Sequence, residues 1–473
     1  MVYNNQITGF TAPIADAVGP FMPYISTKRL CTTGNPRGYY MSSPREVFCW
    51  NPNEQKEAHL VERTSYLIVG DIGSGKSAFS KIAMFEDSAI AEDGHPGRGY
   101  ADNLREIAGK DEYGMLASFM GSEMNAVKRQ INPFSADLGF TASDHLATAV
   151  SMYESANNGA PPVRNMKLAM RVALAVMLEF DRMGRRHASI EGFADILLNL
   201  HQFDAIKHIS GVIQAQHREL AQLPDQGDTV EFSRVNQAEF TSPNINWQEF
   251  ADDAGKVAVA FLNFLDGEYG DTFGGSAPFG VGFGQRFVGL DLAHKPDQVQ
   301  AFLIEYILRL KDVAARNHDE RFKFDIEISD ENASLWNYPG FARTMSKRLK
   351  YKRGDSTVMY QLTQNLEDYE AVGNTGSTER KLAMNAIRDF GAIVYGRLES
   401  PSSLAYAAQV SNLTPLEQSI IKRLNPGQYG IKFPGEPVQF VQVSMNPVRR
   451  HLIETNAAVI EAIRRRRNYA LGR

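Results

Sequence analysis

The sequence predicts an α/β protein in which helices cover both faces of a mostly parallel sheet and a helical subdomain is inserted into the chain. Three observations predict this class. An apolar run of strand length, residues 65–69, passes through a glycine-rich loop into a helical pattern. After residue 280, buried strands alternate with helices, which is typical of a parallel sheet covered on both faces. Between residues 141 and 265 apolar residues recur at helical spacing with few strand signals.

The pattern gives the elements in chain order. Strands are predicted at residues 38–41, 47–50, 65–69, 286–292, 324–329, 357–362 and 391–395, with helices at 78–85, 299–310, 341–349 and 452–463. The predicted organisation is a lead-in with short strands (1–60), a first part of the sheet domain (61–140), the inserted helical subdomain (141–265), a second part of the sheet domain (266–450) and a basic C-terminal helix (451–473).

Composition excludes several classes of protein. The 473 residues are 43% hydrophobic and 22% charged, which excludes a disordered or fibrous chain. A formal net charge of −5 argues against a protein that coats nucleic acid, although a local basic channel stays open. The two cysteines, Cys31 and Cys49, form neither a disulfide framework nor a metal-site spacing.

We see no signal peptide and no apolar run of about 18–20 residues, so we expect a cytoplasmic protein whose membrane association would be made through partners.

The sharpest motif is the lysine loop, residues 70–77, which lies between a predicted strand and a predicted helix. Its residues match G-x-x-x-x-G-K-[ST] and are Gly70, Asp71, Ile72, Gly73, Ser74, Gly75, Lys76 and Ser77. Backbone N–H groups of such a loop curl round phosphates, and the following helix, from Ala78, adds its positive end. Lys76 would reach the β- and γ-phosphates and Ser77 would ligate Mg²⁺. The alternative is a glycine-rich turn with a chance Lys-Ser.

An acidic pair, Asp330 and Glu331, follows the predicted strand at 324–329. A nucleotide hydrolase needs such a pair near its lysine loop: Asp330 would hold the Mg²⁺ shell and Glu331 would polarise the attacking water. The alternative is an exposed acidic turn.

A polar residue, Gln364, follows the next predicted strand. Side chains at the carboxyl end of a central strand lie in the ligand crevice of an open α/β sheet. Gln364 could therefore contact the γ-phosphate or the lytic water, although a glutamine after a strand is also a common helix-start residue.

The order of several short motifs resembles the motor half of the large conjugation ATPases of type IV secretion systems, within the FtsK/HerA class of ring ATPases. The segments that match are the lysine loop, "DEYG" at 111–114, "INPF" at 131–134, "DGEY" at 266–269, "VGLDL" at 288–292, the acidic pair, "TQNLED" at 363–368 and "LNPGQYG" at 424–430.

The resemblance implies a RecA-like P-loop NTPase fold with an inserted all-α subdomain. It implies an ATPase that uses ATP and Mg²⁺ and assembles as a hexameric ring of identical subunits. Such an ATPase energises transfer of DNA or protein, or assembly of the transfer apparatus, together with other subunits of that apparatus. We expect no metal site beyond Mg²⁺, because the ten histidines lack ligand spacing. Two alternatives stay open: a DNA translocase of the same class, and an assembly scaffold that binds ATP and hydrolyses it slowly.

Ring ATPases use a positive charge that reaches into a neighbouring subunit's site. Basic residues crowd the stretch after the acidic pair, and Arg348 and Arg353 are the candidates, with a solvated basic helix face as the alternative. The tail Arg464–Arg467 is predicted to be a basic helix end, with a contact to nucleic acid or anionic lipid as the alternative.

Overall fold

The structure is a computed structural model, which describes residues 35–89, 98–103, 112–120, 124–125, 131–135, 139–157, 159–184, 188–200, 247–275, 287–292, 295–316, 325–351 and 357–470. The chain forms two compact units. The sheet unit comprises Met1–Val127, Val281–Gln300 and His318–Arg473, and the helical unit comprises Lys128–Gly280 and Ala301–Asn317.

The sheet unit is built on one eleven-stranded sheet. Its strands are β1 (Asn35–Tyr40), β2 (Ser43–Trp50), β3 (Ser65–Val69), β4 (Arg98–Asn103), β5 (Met124–Asn125), β6 (Phe287–Asp291), β7 (Asp325–Asp330), β8 (Thr357–Thr363), β9 (Ala392–Tyr395), β10 (Gln428–Lys432) and β11 (Gln439–Val443). Their order across the sheet is β2-β1-β11-β10-β9-β3-β8-β7-β4-β6-β5.

Parallel pairing runs through the whole segment from β9 to β5, which confirms the mostly parallel sheet. Strands β2, β1, β11 and β10 add an antiparallel wing next to β9. The sequence assigns these first two strands to an N-terminal lead-in. In the structure they extend the same sheet, because β1 pairs with β11 near the C-terminus and β2 pairs with β1. A contact between strands about 400 residues apart leaves no local signal in the sequence.

The described residues contain these helices: α1 (Pro52–Glu57), α2 (Lys76–Ala89), α3 (Gly114–Phe119), α4 (Ala142–Ala156), α5 (Arg164–Arg182), α6 (Ile190–Leu198), α7 (Trp247–Asp266), α8 (Gly270–Phe273), α9 (Asp297–Arg316), α10 (Pro339–Tyr351), α11 (Glu367–Glu370), α12 (Thr378–Asp389), α13 (Pro401–Ser411), α14 (Pro415–Ile421), α15 (Pro447–Leu452) and α16 (Ala457–Ala470), and a 3-10 helix at Asn332–Asn337. Among the described residues, none of these helices combines the length and the apolar character that a bilayer span requires.

The core of the sheet unit lies where the lysine-loop helix packs on the sheet. Strand β3 is buried along its whole length, and Phe79 and Ile82 of α2 are each 1% exposed. Trp50 of β2 packs edge-on against Phe79 and tilted against Tyr66 of β3, with ring centroids 5.2 and 4.9 Å apart. The strands nearest the N-terminus therefore help to seat the helix that follows the lysine loop.

The helical unit contains, among its described residues, helices α4 to α8 and α9 from residue 301 onward. Aromatic side chains fill its interior: Phe134 packs on Phe193 and Phe261, and Phe264 on Phe302. The "INPF" segment is part of this packing, since the Asn132 amide donates to the carbonyl of Ala188 and the Ile131 N–H donates to that of Thr272. This motif therefore has a structural role inside the unit.

The basic C-terminal helix is interrupted. One helix was predicted over residues 452–463, whereas α15 ends at Leu452 and α16 begins at Ala457. Within α16, Arg464 donates to the carbonyl of Gly114 at 3.1 Å and Arg465 pairs with Glu461 one turn earlier.

Candidate nucleotide site

The lysine loop connects β3 to α2, as predicted. Gly73 and Gly75 have positive φ angles of 79° and 95°, which side-chain-bearing residues rarely adopt. A Cβ atom at Gly75 would also lie 2.7 Å from the Tyr429 hydroxyl. Glycine is therefore required at position 75 on two grounds, conformation and space.

The Lys76 side chain is folded back onto the loop. Its Nζ atom donates to the carbonyl oxygens of Gly70 at 2.6 Å and Asp71 at 3.3 Å, and the residue is 7% exposed. A buried ammonium group needs acceptors, and the loop's own carbonyls provide two of them. The cation is thus held at the centre of the loop.

Two other segments of the sheet unit hold the loop in place. Past the end of β9, the carbonyl of Arg397 accepts from the N–H of Asp71 at 2.8 Å, and the N–H of Glu399 donates to the Asp71 carboxylate at 2.7 Å. From β10, the Tyr429 hydroxyl donates to the carbonyl of Gly75 at 2.8 Å. These contacts leave no local signal in the sequence, because they join residues more than 300 positions apart.

Strand β8 lies between β3 and β7, and all three are parallel. Their carboxyl ends therefore share one edge of the sheet, where the lysine loop, Asp330 and Gln364 each follow or end a strand. Ser77 Oγ lies 3.4 Å from Asp330 Oδ2. Residues 253 positions apart in sequence thus meet at the edge where ligands bind in open α/β sheets. Gln364 is partly buried directly after β8.

Asp330 is buried and hydrogen-bonded. Its Oδ2 atom also accepts a 3.0 Å hydrogen bond from the Tyr113 hydroxyl. Burial, followed by the neighbouring Glu331 charge, raises the pKa of Asp330 to about 6, while the Tyr113 hydrogen bond and Lys76 act in the opposite direction. A cation near this carboxylate would favour its charged form.

Glu331 adopts the left-handed region, with φ 59° and ψ 36°. Its N–H donates to the carbonyl of Leu362 in β8 at 3.0 Å, which holds the turn after β7 against the neighbouring strand. Non-glycine residues in this region cost of order 1–3 kcal/mol and cluster at functional sites. The backbone strain supports the role predicted for this residue over that of an exposed turn.

The donor set fits Mg²⁺. Ser77 and Asp330 offer a hydroxyl and a carboxylate oxygen side by side, and Mg²⁺ prefers oxygen ligands. In the described part of the chain no three His, Cys, Asp or Glu residues are grouped as a metal cage. Mg²⁺ is usually held by one or two protein ligands together with substrate phosphates, so a two-residue donor set suits a metal that arrives with nucleotide.

The two arginines predicted to act in a neighbouring site differ in placement. Arg348 is 5% exposed and pairs with Glu327 of β7 in its own chain, which argues against a reach into another subunit. Arg353 lies outside the described residues. Of the basic residues further along the chain, Arg380 pairs with Glu370 and Arg397 with Glu399, each at 3.2 Å.

Comparison with known proteins supports the fold. No protein-family model matches the chain, and no match is found among curated protein sequences. Among solved structures, the chain is similar to VirB4 of Thermoanaerobacter pseudethanolicus, with 13% identity, a TM-score of 0.61 and coverage of 90% of this chain and 100% of that one.

Two structures of the TrwB coupling protein are less similar. The unbound bacterial conjugative coupling protein TrwB has 12% identity, a TM-score of 0.47 and coverage of 90% of this chain and 92% of that one. The plasmid coupling protein TrwB in complex with ADP and Mg²⁺ has 12% identity, a TM-score of 0.44 and coverage of 93% and 95%.

The parallel sheet and the lysine loop define the class of the protein, a P-loop NTPase fold. Within that class the chain has the fold of the VirB4 structure, along nearly its whole length. The resemblance indicated by the ordered motifs is thereby confirmed at the level of the fold.

Proposed function

We propose that the chain is an ATP-hydrolysing motor of the conjugation type, which uses Mg²⁺ and energises the transfer of DNA or protein or the assembly of the transfer apparatus. The observation that carries the ATP-hydrolysing part of this proposal is the approach of Ser77 Oγ to Asp330 Oδ2 at 3.4 Å, beside the lysine loop. The fold shared with the VirB4 structure supports the conjugation type. If the Gly-Lys-Ser turn were there by chance, we would not expect its serine to lie beside a buried carboxylate of another strand.

Each residue of the site would have one task. The N–H groups of the lysine loop and the N-terminus of α2 would bind the phosphates, and Lys76 would turn from the loop carbonyls to the β- and γ-phosphate oxygens. Ser77 and Asp330 would hold Mg²⁺, which neutralises charge on the phosphates. Glu331 would accept a proton from the attacking water, and Gln364 would orient that water or contact the γ-phosphate.

We propose further that the active form is a ring, with six subunits as the expected number, in which a basic residue of one subunit completes the site of the next. The pairing of Arg348 with Glu327 argues against this role for Arg348. Arg353 is the other arginine that the sequence predicts for the role, and we propose it here. The partners would be other subunits of a transfer apparatus at the inner face of the cell membrane, and DNA if DNA is the cargo.

The test is ATP turnover by the purified chain with Mg²⁺, compared with Lys76→Ala and with Asp330→Ala. We expect phosphate release from the wild type and loss of at least about two orders of magnitude in both variants. Adding duplex or single-stranded DNA separates a DNA motor from a protein motor, because stimulation by DNA is expected only of the former. Wild-type turnover that is unchanged in both variants would refute the proposal.

A further inference from the structure

A buried tyrosine, Tyr113, lies beside the acidic pair without a role in the scheme above. It immediately precedes α3, is 0% exposed, and its hydroxyl donates to Asp330 Oδ2 at 3.0 Å. A buried phenol normally finds a partner, so one hydrogen bond alone would be unremarkable. The identity of the acceptor is the informative point, because it is the carboxylate expected to serve Mg²⁺.

The Tyr113 ring is fixed from the side of the lysine loop. Lys81, on α2 five residues after Lys76, places its Nζ atom 5.1 Å from the centre of the ring. The same ammonium group pairs with Glu112 at 3.2 Å, and the Lys81 side chain is 1% exposed. A cation over an aromatic face is attracted to it. The ion pair between Lys81 and Glu112, the residue before Tyr113, holds the ammonium group over the ring. The ring therefore has little freedom to turn its hydroxyl away from Asp330.

Two hydroxyl groups converge on the same carboxylate oxygen. Ser77 Oγ and the Tyr113 hydroxyl lie 3.4 and 3.0 Å from Asp330 Oδ2. If Ser77 ligated a metal through its oxygen, its hydroxyl would still donate a hydrogen bond, and Asp330 is in place to accept it. A hydrogen bond from Tyr113 fixes the rotation of that carboxylate and stabilises its negative charge in a buried setting.

We propose that Tyr113 is a positioning residue that orients Asp330 for binding of the Mg²⁺–nucleotide, in the way that outer-shell partners orient metal ligands. This inference rests on the proposed function, since it assumes a Mg²⁺–nucleotide site at Ser77 and Asp330. Removing an outer-shell partner typically lowers metal affinity by about 10- to 100-fold. Tyr113 would thus act through Asp330 and never touch the substrate.

The test is Mn²⁺ binding to the full chain in the presence of ADP, with free Mn²⁺ measured by electron paramagnetic resonance. Tyr113→Phe keeps the ring and removes only the hydroxyl. We expect it to weaken Mn²⁺ binding by about tenfold or more. Binding of a fluorescent ADP analogue in EDTA is expected to stay within about twofold of the wild type, because without metal the phosphates are held by the lysine loop.

The matched control is Tyr66→Phe. Tyr66 is also 0% exposed, and its hydroxyl donates to Gln55 at 2.7 Å, away from the acidic pair. Tyr66→Phe removes an equally buried phenolic hydroxyl. We therefore expect it to change the melting temperature about as much as Tyr113→Phe does, while its Mn²⁺ affinity stays that of the wild type. A Tyr113→Phe protein that is less stable than the control but binds Mn²⁺ as the wild type does would show a purely structural role and overturn the inference.

A second variant tests the route of action. In an Asp330→Ala background, Tyr113→Phe is expected to change Mn²⁺ affinity by less than about twofold, since the side chain that accepts its hydrogen bond has gone. Fully additive effects would overturn the inference. Failure of the wild type itself to bind Mn²⁺ with ADP would instead refute the proposed function, so the two failures are distinguishable.

Discussion

The guanidinium group of Arg348 on α10 is paired with the carboxylate of Glu327 in the middle of β7. Both side chains are buried, at 5% and 7% exposure. The pair explains why an acidic residue is buried between Ile326 and Ile328 in a strand that ends in the site. It also assigns Arg348 to the packing of a helix on its own sheet, so that the basic stretch after the acidic pair is not a uniformly solvated face.

Removal of one member of this pair is expected to destabilise the chain. Arg348→Met leaves the Glu327 carboxylate buried without its cation, and breaking a buried pair in this way typically costs about 3–5 kcal/mol. The double variant Arg348→Met/Glu327→Met is expected to recover much of that loss, because two apolar side chains replace two charges. Urea unfolding of the three proteins measures both steps. A stable Arg348→Met protein with reduced turnover per assembled ring would restore Arg348 as a candidate for action between subunits.

Loss of the loop cation is expected to abolish nucleotide binding and turnover. Lys76→Ala removes the one cationic side chain of residues 70–77, and the N–H groups alone do not replace its charge. Titration with a fluorescent ATP analogue measures the affinity. Lys422→Ala, a substitution of a lysine that lies outside the site, is the control. Affinity for ATP that remains within about twofold of the wild type would contradict the geometry assigned to Lys76.

Glu331→Gln is expected to uncouple binding from hydrolysis. An amide accepts no proton from water, so turnover should fall by about 10²–10⁴-fold while ATP affinity stays close to that of the wild type. The substitution keeps the size of the side chain, so we expect the left-handed backbone at this position to be kept. Single-turnover hydrolysis with pre-bound ATP is the measurement. Turnover close to normal would remove Glu331 from the mechanism.

The local features of the site could be predicted from the sequence, and the long-range ones could not. The lysine loop and Asp330 carry signals in their immediate neighbours, namely a buried strand before each of them. The contacts of Tyr429 with Gly75 and of Arg397 with Asp71 depend on strand order, which hydrophobic periodicity does not encode. For the same reason the pairing of β1 with β11 and the ion pair of Arg348 with Glu327 could not be predicted from the sequence.

Acid is expected to destabilise the helical unit through His145. Burial, opposed only in part by Asp144, lowers the pKa of His145 from 6.5 to about 4, and the residue is 2% exposed. The folded state thus binds fewer protons than the unfolded state, so the stabilisation is complete above pH 6.5 and is lost as pH falls from about 6.5 to about 4. The loss is on the order of 3 kcal/mol at most. His145→Gln should flatten this part of the stability profile, and urea midpoints at pH 7.5 and 4.5 provide the comparison. Equal pH dependence in both proteins would contradict the assignment.

Turnover is expected to depend on protein concentration if one subunit completes the site of the next. A separate subunit would hold the lysine loop and the acidic pair without the stabilising charge, so it would bind ATP and hydrolyse it slowly. Arg353→Ala should lower turnover with little loss of ATP affinity, because a charge of this kind acts mainly on the transition state.

Mixing Arg353→Ala with Lys76→Ala subunits should then restore part of the activity, since each supplies what the other lacks. Lys352→Ala, which removes the neighbouring cation in the sequence, is the matched control. Its own turnover should stay close to that of the wild type, so mixing it with Lys76→Ala subunits should give no gain in turnover. The measurement is turnover per subunit across a dilution series with the mass followed in parallel. Specific activity that stays constant down to a demonstrated monomer would exclude the shared site and favour a nucleotide-dependent scaffold with slow hydrolysis.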